Sequence, residues 1–230
     1  LHGNLSSSYS NPTGVINMSN GMIITSDANI TATVGYTIRN DGGTFTMTGG
    51  TIQTASTVNY SFQLYNGSTL VMNGGTITSP GNYALYVPNG TVSVNAGSTV
   101  RSTSSSNTSI AISVTTGTVN INGGLVEHTS AGKAVSLLGS SSALTVTSGT
   151  VTSAGATTVD CYFDGIVTVN GGIVQNTGTA PAVALGNSSA ALVVGGGTVT
   201  ALGASTVNCT TGTVTVNTGT VENTSSAASS

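Results

Sequence analysis

Charge is scarce in this chain. Of 230 residues, three are Lys or Arg and six are Asp or Glu, for a formal net charge of −3. An average globular domain carries about a quarter charged residues, so solubility here must rest on hydroxyl and amide groups. Three basic residues cannot build a patch that neutralises several phosphates, which argues against nucleic acid and anionic membrane surfaces as partners. Long apolar runs are missing too. None approaches the roughly 20 residues that a helix needs to cross a bilayer, so no membrane insertion is expected. The opening LHGNLSSSYSNPTG lacks the basic and apolar regions of a signal peptide, as expected of a mature product or an excised segment.

What the chain has in quantity is Val, Thr, Ser, Asn, Gly and Ala. Disordered chains are depleted in β-branched apolar residues and rich in charge, so this composition points to strands. A short phrase recurs: apolar, polar, apolar, polar, two small residues, any residue, apolar. It reads FTMTGGTI at 45–52, LVMNGGTI at 70–77, VNINGGLV at 119–126, LTVTSGTV at 144–151, VTVNGGIV at 167–174, LVVGGGTV at 192–199 and VTVNTGTV at 214–221, with looser copies around Met18 and Val94. Units of this size cannot bury an apolar face alone and must stack on their neighbours.

Aligned on the apolar residue before the small pair, the copies give Met18, Met47, Met72, Val94, Ile121, Val146, Val169, Val194 and Val216, at intervals of 22 to 29 residues. Such spacing suits one solenoid coil of three short strands. Alternation places Val167 and Val169 inward and Thr168 outward. After the Gly171–Gly172 corner Val174 points in, with Ile173 and Gln175 out, and a third segment supplies Val183 and Leu185. Parallel crossovers are overwhelmingly right-handed. The expected fold is therefore an all-β, three-sided, right-handed parallel β-helix of about nine coils, roughly 43 Å long at a coil spacing of about 4.8 Å. Its expected limits are residues 15–224, with 1–14 an N-terminal extension or cap and 225–230 a low-complexity tail or the start of an incomplete coil.

A longer period is superposed. GGLVEHTSAGKAVSL at 123–137 matches GGIVQNTGTAPAVAL at 171–185, and TVTSAGATTVDC at 150–161 matches TVTALGASTVNC at 198–209, both at an offset of 48. Two coil types alternate, as tandem duplication of a coil pair would leave them. The V-x-V-N-G-G phrases, such as Val119 to Gly124 and Val167 to Gly172, resemble the right-handed β-helices of bacterial surface adhesins and autotransporter passenger domains, across nearly the whole chain from Val15. The resemblance implies the fold, since the same coil also carries polysaccharide lyases and phage tailspikes.

Candidate chemistry is sparse. Cys161 and Cys209 share an inward column with Val87, Val114, Leu137 and Leu185, two coils or about 9.6 Å apart, beyond the roughly 7 Å limit for a disulfide. Both are expected to be buried thiols. Carboxylates are scattered: Glu127 and Glu222 lie four coils apart, near 19 Å, whereas hydrolysis of a polysaccharide needs two within about 10 Å. Asp160 and Asp164 approach one another across a corner with no evident basic partner. Glu127, His128 and Lys133 form the densest polar cluster, but Gln175, Asn176 and Pro181 replace them in the next double repeat, so a solvated face is expected. His2 and His128 cannot form a zinc site without further ligands. No catalytic, metal or cofactor site is expected, and the chain is not read as an enzyme. Asn73, Asn95, Asn122, Asn170 and Asn217 recur before the small pair, as expected of a structural amide ladder. Tyr65, Tyr83 and Tyr86 are candidates for a glycan-stacking platform.

Three functions remain in competition. The first is an extracellular or cell-surface structural protein, either an adhesin stalk or a subunit that self-associates end to end, with residues 1–14 completing the coil at 214–230. The second is a carbohydrate-binding module that recognises a glycan or host-surface ligand through the tyrosines. The third is ice binding through Thr76 and Thr78, Thr150 and Thr152, and Thr198 and Thr200, a face interrupted by Arg101, Glu127, Gln175 and Glu222. Ten Asn-x-Ser/Thr sequons, at Asn4, Asn17, Asn29, Asn59, Asn66, Asn89, Asn107, Asn187, Asn208 and Asn223, permit glycosylation without requiring it.

Overall fold

A computed structural model describes residues 1–7, 15–57, 59–203 and 205–225. Residues 8–14 of the expected N-terminal segment and residues 226–230 of the expected tail at 225–230 lie outside them. Every regular element among the described residues is a strand, and the strands pair in parallel from coil to coil. The chain winds as a parallel β-solenoid of about nine coils, with three strand ladders running along it.

The first ladder stacks Ser26, Met47, Met72, Val94, Ile121, Val146, Val169, Val194 and Val216 in register. The second stacks Ile30, Ile52, Ile77, Val100, Val126, Val151, Val174, Val199 and Val221. The third carries Ile38, Phe62, Leu85, Ile112, Val135, Val159, Val183 and Val207. Wherever coils lie on both sides, these apolar positions are buried, and each Val, Leu or Ile side chain contributes about 1.5–3 kcal/mol by leaving water. On the first and second sides their outward neighbours, among them Thr168, Ile173 and Gln175, are half-buried or exposed, as alternation requires; on the third side the outward neighbours Gln63, Ser113 and Ser136 are buried as well.

Corners are tight enough for strands to run through them: Ile110–His128 and Lys133–Ser153 each continue from one side to the next. Where the second side turns toward the third, a buried polar column replaces the apolar one: Thr54, Ser79, Ser102, His128, Ser153 and Asn176. Most of these side chains accept the backbone N–H two residues on, at 3.1 Å for Thr54, 3.0 Å for Ser79, 3.2 Å for Ser153 and 3.0 Å for Asn176. Each bond satisfies a donor that the corner removes from the ladder.

Two boundaries differ from the sequence reading. Asn4–Ser7 pairs in parallel with Asn29–Ala32, so the second ladder already includes residues ahead of 15. Met18 does not belong in the column of Met47; it pairs with Asn40 on the third side, and Ser26 takes the first-side position. The first-side strand of that coil, Ile23–Ser26, carries serine where later coils carry a hydrophobe, and so the apolar phrase does not mark it.

Candidate functional site

The outward column on the second side runs Thr31, Gln53, Thr78, Arg101, Glu127, Thr152, Gln175, Thr200 and Glu222. Glu127 and Glu222 stand four coils apart, as the repeat alignment requires. Arg101 Nε donates to Glu127 Oε1, so charged groups on adjacent coils interrupt the threonines of this face. Lys133 Nζ donates to Asp160 Oδ2 on the next coil. Asp160 therefore has a basic partner, contrary to the expectation, because Lys133 and Asp160 begin and centre third-side strands that the stack brings side by side.

His128 overturns the expectation of a solvated cluster. Its neighbours Glu127 and Lys133 face outward, but His128 itself is 1% exposed. Nδ1 accepts the backbone N–H groups of Ser130 and Gly132, each at 3.2 Å, and Nε2 lies 2.8 Å from Ser109 Oγ. The Ser109 hydroxyl donates in turn to Ser106 O at 2.6 Å. With Nδ1 committed as an acceptor, the imidazole proton sits on Nε2 and points at the serine. The pair thus resembles a nucleophile and its base but cannot act as one, since the histidine donates to the hydroxyl it would have to deprotonate. It is the histidine member of the corner column, doing the work that Asn176 does one double repeat later.

Burial lowers the His128 pKa, with the Ser130 backbone bond as a smaller opposing influence. Below about pH 6.5 the unfolded chain therefore binds a proton that the folded chain refuses, and stability falls as pH falls. The melting temperature of the wild type should drop between about pH 7 and pH 5.5, whereas His128→Asn, which copies the Asn176 corner, should be nearly level over that window. Equal slopes in the two proteins would show that His128 is not held neutral by its site.

Tyr65, Tyr83 and Tyr86 come together as expected, and Tyr60 joins them. Tyr60 stacks with Tyr83 at a centroid distance of 5.1 Å and 11° and with Tyr86 at 4.8 Å and 28°. Tyr65 meets Tyr86 edge to face at 6.3 Å, and the Arg39 guanidinium sits 4.3 Å from the Tyr65 ring centre. Burial, and then the neighbouring phenols, raise the pKa of Tyr60 and Tyr83. In this cluster the stacked faces are directed at one another, and one tyrosine carries a cation, so much of the aromatic surface is already engaged within the coil stack.

Cys161 and Cys209 occupy the expected column, with Leu185 between them, and both are free thiols. Cys161 is buried, and burial pushes its pKa up to about 11. Cys209 is exposed, which corrects the expectation for it: none of the described residues forms a coil over it, so inward parity alone does not bury the side chain. The amide ladder is real but short. Asn95 donates to Asn73 at 2.7 Å and Asn122 to Asn95 at 3.2 Å, and Thr147 then donates to Asn122 at 2.8 Å. The threonine takes the next rung, which leaves Asn170 and Asn217 on later coils outside this chain of bonds.

Sequence reasoning passed over one feature. Tyr162 and Phe163 stand at the corner between Val159–Cys161 and Ile166–Val169, 60% and 45% exposed, with ring centres 5.1 Å apart and planes at 74°. Comparing the two double repeats would have exposed it, because TVDCYFDG in one becomes TVNCTTG in the other. Among the described residues no pocket opens, no three His, Cys, Asp or Glu side chains gather as metal ligands do, and no helix is long and apolar enough to cross a membrane.

These features define the class of protein: a parallel β-solenoid built from alternating coils. No protein-family model, curated protein or solved structure matches the chain.

Proposed function

We propose that this chain is a structural rod of the cell exterior, working as an adhesin stalk or as the subunit of a filament. The observation that supports the reading best is the continuity of the stack. Three ladders keep their register from coil to coil, and the 48-residue double repeat falls into it without a break at Cys161, Leu185 and Cys209. A repeat of this kind lends itself to spanning a distance, since each added coil extends the axis by about 4.8 Å. A surface of hydroxyls and amides with little charge suits the exterior, and the phrases that resemble surface adhesins agree with it.

In the filament form, the inward residues Val214, Val216 and Val221, exposed by 41%, 47% and 36%, would seat a further coil from a second copy. In the stalk form, continuing chain would occupy the same place. Head-to-tail contacts of this type are heterologous and do not close, so they generate fibres. Immunogold labelling of intact source cells should place the protein on exterior structures; label confined to the cell interior would overturn the reading. Negative-stain images of the purified chain separate the two forms, because fibres that lengthen with concentration indicate a filament and single slender rods a stalk. A carbohydrate-binding role is a second reading, favoured by the exposed aromatic corner at Tyr162 and Phe163.

A further inference from the structure

The corner at residues 162–165 differs from its counterparts in a way the scaffold does not require. The equivalent corner 48 residues later reads Thr210–Thr211–Gly212, one residue shorter and without an aromatic ring. The corners on either side, after Leu137 and Leu185, read Leu-Gly-Ser-Ser and Gly-Asn-Ser-Ser. A solenoid that turns the same corner with Thr, Ser and Gly has no structural need for Tyr162, Phe163 and Asp164. Leaving two rings 60% and 45% exposed also forgoes the stabilisation that burying them would bring.

The corner is held from beneath. Cys161 stands where neighbouring coils carry leucine, and its sulfur lies 3.1 Å from Gly165 O and 3.4 Å from Phe163 O. At Gly165 a Cβ would come within 2.8 Å of Ser142 Oγ on the preceding coil, so the loop is packed closely against the stack. The two rings are thus presented edge to face, 5.1 Å apart, on a braced support, and contact with a ligand costs little further ordering.

We infer that the Tyr162–Phe163 corner is a binding site for an uncharged carbohydrate. A sugar ring offers apolar C–H faces to the negative π face of an aromatic ring, while its rim of hydroxyls needs acceptors and donors such as the Asp164 carboxylate and the serine and asparagine corners of the adjoining coils. Asp164 beside the rings, in a chain of net charge −3, disfavours anionic glycans. Size separates a sugar from a protein partner: Phe and Tyr present about 150–250 Å² each, and the exposed fraction of two such rings falls well short of the roughly 800 Å² per partner of a stable protein interface.

The test uses the whole chain and the probes cellohexaose, chitohexaose, mannohexaose and laminarihexaose, with polygalacturonate as the anionic control, titrated by calorimetry. The variants Tyr162→Thr and Phe163→Thr borrow the residues of the equivalent corner, so the scaffold tolerates them, and unchanged circular dichroism and melting confirm it. At least one neutral oligosaccharide should bind to the wild type, each variant should weaken it tenfold or more, and Tyr65→Ala should leave it unaltered. The inference fails if none of the four binds, if only polygalacturonate does, or if the corner variants bind like the wild type. Loss in Tyr65→Ala alone would move the site to the stacked tyrosines. The rod reading does not use this corner and is decided separately by microscopy.

Discussion

Val169→Asp should unfold the protein at far lower denaturant than Thr168→Asp. Val169 is fully buried and packed between Val146 and Val194, whereas Thr168, one residue earlier on the same strand, faces outward between Thr145 and Val193. An aspartate at 169 loses the burial of a valine, worth about 1.5–3 kcal/mol, and either carries an unpaired carboxylate into the interior or takes up a proton, at a further cost of several kcal/mol. At 168 the carboxylate stays in water, and the penalty is the poor strand propensity of Asp, about 1 kcal/mol at most. Urea midpoints of the two variants measure the difference. Equal losses, or a greater loss at 168, would reverse the inward and outward faces of the whole ladder.

A comparably large effect should separate two glycines of similar backbone conformation. Gly97 and Gly149 both have positive φ, at 80° and 88°, and either one replaced by alanine suffers the left-handed penalty of about 1–2 kcal/mol. Beyond that they differ. A Cβ at Gly97 meets nothing within 4 Å, but at Gly149 it would lie 2.3 Å from Gly124 O and 2.8 Å from Gly123 C, both backbone of the coil beneath. A side-chain obstacle can rotate away; a stacked backbone cannot move without parting the coils. Gly149→Ala should therefore cost about 2–5 kcal/mol and Gly97→Ala only the conformational part. Matching melting temperatures for the two variants would mean that coils at this corner are spaced more loosely than the structure shows.

The ladders were legible because alternation and the 48-residue offset are both properties of the residue string. Val167, Val169, Val174, Val183 and Leu185 point inward as alternation says, and Cys161, Leu185 and Cys209 stack as the offset says. What escaped depends on neighbours in space. Counting two residues on from Val126 places His128 inside, yet its polar company made the cluster read as solvated. The ion pair of Lys133 and Asp160 spans 27 residues and becomes visible only once third-side register is known. The exposure of Cys209 depends on what stacks over it, a matter on which its own pattern is silent. Tyr162 and Phe163 stand out by contrast with the matching corner rather than by any motif.

Because each strand pairs only with the strands one coil before and one coil after, strand contacts join residues a single coil apart in the chain. A duplication or deletion of 48 residues within 123–209 keeps the core columns aligned, since residues 48 apart, such as Cys161 and Cys209, occupy the same column two coils apart. Over that stretch, length is then a trait that duplication can adjust without repacking the interior.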